Sequence, residues 1–210
     1  MTGIINFETF LLAGILLNLT PGNDTIFILS RTIAQGKQAG IMSVLGIATG
    51  SIIHSTFAAF GLSIIIAESI IAFSILKYAG AVYLAYIGFK MLTDQSPVEI
   101  GIQNKEKEVN LKKVYRDAVI TNLLNPKVAL FFIAFLPQFI DPEYKNTVLP
   151  FMLLGVSFTI TGTAWCLTLV NFATVISFKL TRNKNLTLYI TKACGAILIG
   201  LGIKVAFNNR

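Results

Sequence analysis

A first break, Asn18-Leu19-Thr20-Pro21-Gly22-Asn23-Asp24, interrupts an apolar segment that runs from about Ile4 to Gln35. A second break, Asn122-Leu123-Leu124-Asn125-Pro126-Lys127, interrupts another apolar segment in the same way. Each break carries polar side chains, a proline and a charge. Lipid tolerates freed backbone groups only where protein or a water-filled cavity satisfies them. The two breaks therefore predict a buried polar site inside a membrane protein, which indicates a transporter.

The composition is that of a polytopic membrane protein. The 210 residues are 54% hydrophobic and 13% charged, whereas soluble domains carry about 25% charged residues. Six segments approach or exceed the roughly 20 apolar residues that span a bilayer. They run approximately over residues 4–35, 40–67, 69–92, 117–140, 148–178 and 186–207. None alternates with period two, so the prediction is an all-α fold of six transmembrane helices, of which the first and fourth are broken.

The net charge of +7 comes from basic residues clustered in the short loops between the apolar segments. Such clusters are typical of topology determinants and of contacts with anionic lipid, and we do not expect nucleic acid to be a partner. The basic side is expected to face the cytoplasm, which places both termini outside. If the first segment dips into the membrane and returns, the N-terminus lies inside instead.

A weak internal repeat supports a division into two halves. Lys77-Tyr78-Ala79-Gly80-Ala81 and Lys192-Ala193-Cys194-Gly195-Ala196 share the pattern Lys-x-x-Gly-Ala, and the two Asn…Pro breaks recur in the same order. We expect one three-helix repeat over residues 1–92, a cytoplasmic linker over 93–116 and a second repeat over 117–210. An odd number of helices inverts the second repeat, and inverted repeats with discontinuous helices are a common transporter plan. The alternative is that the Lys-x-x-Gly-Ala match is chance.

The breaks also suggest how a substrate is bound. Thr20 is expected to cap a new half-helix with Pro21 at its first position, and Asn125 with Pro126 forms the same pair. The positive ends of two half-helices would suit the carboxylate of an amino acid, and Lys127 adds a positive charge. The candidate substrate-binding residues are Thr20, Pro21, Gly22, Asp24, Asn122, Asn125, Pro126 and Lys127.

Asp24 and His54 are the candidates for proton coupling. Asp24, one turn into the first half-helix, is suited to binding a substrate ammonium group or carrying a proton, because ionisable groups at membrane depth usually have a role. Histidine as a residue type changes charge near neutral pH, which would suit His54 to proton coupling. The alternatives are that Asp24 only caps its helix, that Lys127 snorkels to an interface and that His54 is a packing residue. Trp165, in the middle of the fifth segment, is interpreted as a packing residue.

The residues quoted above resemble the LysE/RhtB-type amino-acid exporter family over nearly the whole chain. The matching motifs are Pro21-Gly22-Asn23-Asp24 with Arg31 and Gly36, Gly46…Gly50…His54, Leu76 to Leu84, and Asn122 to Lys127 followed by Pro137-Gln138-Phe139. In the family the first motif usually reads Pro-Gly-Pro-Asp, and Asn23 here replaces its second proline.

The resemblance implies a bacterial cytoplasmic-membrane protein that exports amino acids or close derivatives, driven by the proton gradient. It carries over Pro21, Gly22, Asp24, Asn122, Asn125, Pro126 and Lys127 as site residues. It implies no cofactor and no catalytic residue, and it does not specify the substrate. Small-residue helix faces permit a homo-oligomer without requiring one.

Two other functions fit the sequence less well than export. A metal or small-ion transporter on a related fold would need a cluster of carboxylate, histidine or cysteine side chains inside the membrane. Asp24 and His54 alone are too few for such a cluster. A membrane-embedded enzyme would need a nucleophile or an acid–base pair, and the sequence carries no recognised catalytic motif.

Overall fold

A computed structural model describes residues 2–62, 70–93, 109–141, 144, 148–173, 175 and 184–207 of the chain. Within these ranges the chain is helical, and its one extended pairing is an isolated bridge between Ile4 and Ile140. The helices are α1 (Phe7–Leu19), α2 (Asn23–Gln35), α3 (Lys37–Phe57), α4 (Ile70–Thr93), α5 (Leu111–Leu123), α6 (Pro126–Leu130), α7 (Val148–Asn171) and α8 (Lys184–Phe207). A π-helical turn, Ala58–Leu62, extends α3, while a π-helical and a 3₁₀ turn extend α6 to Phe139.

The helices match the predicted membrane segments, including both breaks. The described part of α3 with its extension, and α7, are each long and apolar enough to cross a membrane. The pairs α1–α2 and α5–α6 are bent by 48° and 49°, and each passes the same test as one unit. Helices α4 and α8 have 24 residues each, about 36 Å at 1.5 Å per residue. The predicted helical membrane protein with broken first and fourth segments is confirmed.

The bounds differ most from the predicted ones at the start of the fourth segment. Helix α5 begins at Leu111, so Lys112, Lys113 and Arg116 lie on a helix rather than in the linker. The Asn110 side chain caps this helix by accepting a hydrogen bond from the Lys113 N–H at 3.0 Å, which stabilises an earlier start than apolarity suggests. Residues 63–69, 94–108 and 176–183, which hold parts of the second, third, fifth and linker segments, lie outside the described residues.

The two broken helices lie side by side and run in opposite directions. At one end the Ile5 N–H donates to the Phe139 carbonyl at 2.8 Å, and the Asp141 N–H donates to the Gly3 carbonyl at 2.9 Å. At the other end Arg31, near the end of α2, pairs with Asp117 in α5 at 3.4 Å. The start of the first segment is thus beside the end of the fourth.

Glycines bring α3 against α5. A Cβ atom at Gly46 would lie 2.5 Å from both the Tyr115 carbonyl oxygen and the Ala118 Cβ, and one at Gly50 would lie 2.5 Å from Asn122 Oδ1. Real Cβ atoms are not found so close to other heavy atoms, so both positions require glycine. The two glycines, four residues apart, therefore allow α3 and α5 to pack closely.

Helices α4 and α8 approach in the same manner. A Cβ atom at Gly88 would lie 2.5 Å from the Gly195 carbonyl oxygen. The outer face of α4 is apolar and exposed in the isolated chain, with Val82 68% and Phe89 63% accessible. A bilayer covers such faces, because a soluble protein rarely exposes so many large apolar side chains together.

Substitution of Gly88 by alanine should destabilise the protein, because its Cβ atom would be forced against the α8 backbone. Overpacking of this kind costs about 1–3 kcal/mol, which corresponds to a fall of several degrees in the thermal midpoint at roughly 2–4 °C per kcal/mol. Gly200→Ala is the matched control, since nothing lies within 4 Å of its Cβ position. Equal unfolding midpoints for the two variants in detergent would contradict this packing.

Candidate functional site

A small cavity lies between the two helix breaks and the middle of α3 and α7. Its volume is about 40 Å³, room for a few water molecules at roughly 10–15 Å³ each. One part of its wall is apolar, and another part is polar. The apolar side chains include Leu17, Val44, Ile47, Val128 and Phe158, and the polar ones include Asn18, Asp24, Asn122, Lys127, Thr159, Thr163 and Trp165.

Two apolar clusters flank this cavity. On the side of Phe139, the rings of Phe10, Phe131 and Phe158 belong to a cluster of buried aromatic and aliphatic side chains, and Phe131 and Phe158 stack at 4.7 Å. On the side of Arg31, Ile28 and neighbouring aliphatic residues of α3 and α7 form the second cluster. The polar groups therefore lie between two apolar layers.

A hydrogen bond joins the two breaks across the cavity. The Asn122 Nδ2 atom, at the end of α5, donates to Asp24 Oδ2, in the first turn of α2, at 2.9 Å. Asn122 is only 1% exposed, and Gly50 leaves the space that it occupies. Residues predicted from the two separate break motifs are therefore brought together.

The second break has the predicted cap. The Asn125 side-chain oxygen accepts a hydrogen bond from the Lys127 N–H at 3.1 Å, and Pro126 occupies the first turn of α6. This is the favourable order, because proline has no N–H to leave unsatisfied at a helix start. The prediction that Asn125 and Pro126 begin a half-helix is confirmed.

The prediction for the first break is wrong in its detail. Helix α2 begins at Asn23, its N-cap is Gly22 without a side-chain bond, and Pro21 lies in the break. Thr20 instead ends α1, where its hydroxyl donates to the Leu16 carbonyl at 2.8 Å. A threonine hydroxyl readily bonds to the carbonyl four residues earlier, and the following proline disfavours helical geometry at Thr20.

The Lys127 ammonium group closes the end of α1. It donates to the Leu17 and Thr20 carbonyl oxygens, both at 3.1 Å. Carbonyls at a helix C-terminus lack partners in their own helix and carry partial negative charge, so a cation there is stabilising. A Cβ atom at Gly22 would lie 3.1 Å from this ammonium nitrogen, so Gly22 keeps the approach open. The ammonium group therefore faces the first break.

His54 is connected to the site through Asn122 and does not line the cavity. Its Nε2 atom lies 3.2 Å from the Asn122 carbonyl oxygen, and its ring stacks on Phe132 with 5.8 Å between centroids. Asn122 thus connects α3 to α2, since its backbone carbonyl bonds to His54 and its side-chain amide bonds to Asp24.

The predicted site residues divide into two groups. Gly22, Asp24, Asn122 and Lys127 line the cavity, whereas Thr20, Pro21, Asn125 and Pro126 lie outside its lining and form the breaks themselves.

Asn18 and Trp165 are among the lining residues that sequence reasoning missed. Asn18 opens the first break motif, so its position there was a usable signal. Trp165 carried none, since only the packing of α7 against the breaks places it there.

Several buried polar atoms around the cavity have no hydrogen-bond partner among the described residues. They are Asn18 Nδ2, Asp24 Oδ1, Asn122 Oδ1, Asn125 Nδ2 and Trp165 Nε1. Burying such atoms without partners is costly, so they indicate a place for water or a polar ligand. Within the same described ranges, no three His, Cys, Asp or Glu side chains are grouped to hold a metal ion.

Replacing Lys127 with methionine should lower the thermal stability, because two carbonyls at the end of α1 would lose their donor. The expected cost is about 1–3 kcal/mol for the unpaired groups. Lys90→Met, at an exposed position of α4, is the matched control and should leave the unfolding midpoint unchanged. A Lys127→Met midpoint equal to that of the control would contradict the capping role.

Comparison with known proteins identifies the family of this chain. The family model described as LysE type translocator matches residues 15–209. An uncharacterized membrane protein of Bacillus subtilis is 32% identical, with 90% of this chain and 93% of that protein covered. A Salmonella typhimurium protein named leucine efflux protein is 28% identical, with 97% and 96% covered. No solved structure gives a significant match.

The match covers both breaks and all the residues that line the cavity, and the named relatives are membrane or efflux proteins. The chain is a multi-pass protein of the cell membrane, in a family of translocators rather than of enzymes. It belongs to the LysE type translocator family.

Proposed function

We propose that this protein is a secondary transporter that exports neutral aliphatic amino acids from the cytoplasm and is driven by the proton gradient. The observation that carries the proposal is the cavity between the two helix breaks, where a buried carboxylate with one unpaired oxygen lies beside an apolar wall. An amino acid offers an ammonium group for the first and a side chain for the second, and the site has to widen to admit it, since the cavity holds only a few water molecules. The proposed function needs no cofactor, metal or catalytic residue, and the partners are the substrate, protons and the lipid bilayer.

The proposed architecture has six crossings arranged as two inverted three-helix repeats, over residues 1–92 and 117–210 with a cytoplasmic linker over 93–116. The antiparallel pairing of the broken helices supports it, with Ile5 beside Phe139 at one end and Arg31 beside Asp117 at the other. The 48° bend between α1 and α2 supports a full crossing, because a re-entrant segment would have to turn back on itself.

The proposed substrate class rests on the wall of the cavity and on the relatives. Leu17, Val44, Ile47, Val128 and Phe158 offer contacts to an aliphatic side chain. A charged side chain placed there would lose hydration without gaining a partner. Relatives from Salmonella that are 28% identical over 97% of this chain are named leucine efflux proteins.

In this proposal, Asp24 binds the substrate ammonium group, and the two half-helix starts at Gly22 and Asn125 favour negative charge in the breaks. Asn122 and Lys127 hold the two breaks together around the site. Thr20, Pro21 and Pro126 give the breaks their shape.

Proton coupling is assigned to Asp24 and His54. The carboxylate exchanges a proton for the substrate ammonium group, so that either one neutralises it in turn. His54 is linked to the same carboxylate through Asn122. Protonation of the imidazole would change the hydrogen bond to the Asn122 carbonyl oxygen.

Export can be tested in cells loaded with labelled leucine-containing dipeptides, so that leucine accumulates inside. Wild-type protein should raise leucine efflux, and an uncoupler should abolish the increase. Asp24→Asn should lower efflux at least about tenfold, because loss of one charged contact to the substrate costs about 1.4 kcal/mol of binding free energy. Glu8→Gln, an exposed carboxylate in the same segment, is the control and should transport normally. Unchanged efflux with wild-type protein across a panel of neutral amino acids would refute the exporter.

Substitution of His54 by glutamine separates titration from packing, because glutamine keeps a donor for the Asn122 carbonyl oxygen but carries no proton near neutral pH. Wild-type efflux should rise when the external medium is shifted from about pH 8 to about pH 6, and the variant should lose most of that rise. A variant with the wild-type pH profile would restrict His54 to packing.

A further inference from the structure

Among the residues that line the cavity, the unpaired polar atoms separate into oxygen acceptors on the two breaks and nitrogen donors where α1 meets α7. We propose that these two groups fix the orientation of the bound amino acid. Its ammonium group binds Asp24 Oδ1 and Asn122 Oδ1, and its carboxylate binds the indole N–H of Trp165 and the amide of Asn18. This inference rests on the proposed export of amino acids and assigns the substrate-recognition residues within the same site.

The acceptor side is defined by the bond between the breaks. Asn122 Nδ2 donates a hydrogen bond to Asp24 Oδ2. Asp24 Oδ1 and Asn122 Oδ1 have no hydrogen-bond partner within the described part of the chain. Both residues line the cavity. An ammonium group has three donors and satisfies two buried acceptors at once, one of them charged.

The donor side is defined by the contact between α1 and α7. Gly162 faces Asn18, and a Cβ atom added at Gly162 would lie 3.2 Å from the Asn18 side-chain oxygen. Trp165 follows Gly162 by three residues and so lies on the same face of α7. Both side chains line the cavity. Asn18 Nδ2 and Trp165 Nε1 have no hydrogen-bond partner among the described residues. An indole nitrogen can only donate, so its natural partner here is an anion or a carbonyl.

Lys127 does not replace these donors. Two of its N–H groups already bond to the Leu17 and Thr20 carbonyl oxygens. Lys127 and Asp24 both line the cavity, so the site offers one basic and one acidic side chain. A zwitterion adds no net charge to this site, whereas a basic or acidic amino acid adds a buried charge without a partner. The same arrangement therefore selects for neutral amino acids.

The test compares L-leucine with L-leucinamide, which keeps the ammonium group and side chain but lacks the carboxylate. Purified protein in detergent is assayed by displacement of radiolabelled leucine. Wild-type protein should bind leucine more tightly than leucinamide. Trp165→Phe and Asn18→Ala should each weaken leucine binding about tenfold, or 1.4 kcal/mol, and should weaken leucinamide binding less, because the amide carbonyl oxygen that replaces the carboxylate is uncharged. Asp24→Asn should weaken both ligands alike.

Asn171→Ala removes an exposed amide from α7 and is the control for general disturbance of that helix. If Trp165→Phe and Asn18→Ala weaken both ligands equally, or neither, the orientation is overturned while the exporter stands. Wild-type binding of leucinamide as tight as that of leucine would overturn it as well. Failure of wild-type protein to bind leucine would instead overturn the proposed function and, with it, this inference.

Discussion

The structure depends on the way each helix break satisfies the polar groups of the other. Asn122 donates from the second break to Asp24 in the first, and Lys127 donates to the carbonyls that end α1. Lipid has no partner to offer to any of these groups. A single broken helix would leave them exposed to hydrocarbon, so the two breaks are stable only when they meet.

This requirement explains the positions of the close-packed glycines. Gly50 makes room for Asn122, and Gly22 makes room for the Lys127 ammonium group. Gly46 lets α3 approach the backbone of α5, which brings His54 to the Asn122 carbonyl. Larger side chains at these positions would separate the helices that carry the polar groups, and the cavity between the breaks would lose its wall.

The cavity is polar because the breaks satisfy each other only in part. Asn122 uses its side-chain nitrogen, and Asp24 one of its two oxygens, for their mutual hydrogen bond. The Asn122 oxygen and the second Asp24 oxygen have no partner among the described residues. Unpaired acceptors on one side and donors from Asn18 and Trp165 on another make a place suited to a molecule with both charges. The apolar layers on either side keep competing water few, which strengthens such interactions.

The sequence by itself determined the helical membrane fold, the two breaks and the cap formed by Asn125 and Pro126, because apolar length and proline chemistry are local properties. The same local reasoning gave a wrong prediction for Thr20, because threonine is suited to the end of a helix as well as to its start. Its hydroxyl donates a hydrogen bond to the Leu16 carbonyl and ends α1. Only the tertiary structure decided that Lys127 closes α1, that Asn122 bonds to Asp24 and that Trp165 faces the site. Those contacts join residues up to 110 positions apart, and no local pattern in a chain encodes which distant side chain will arrive.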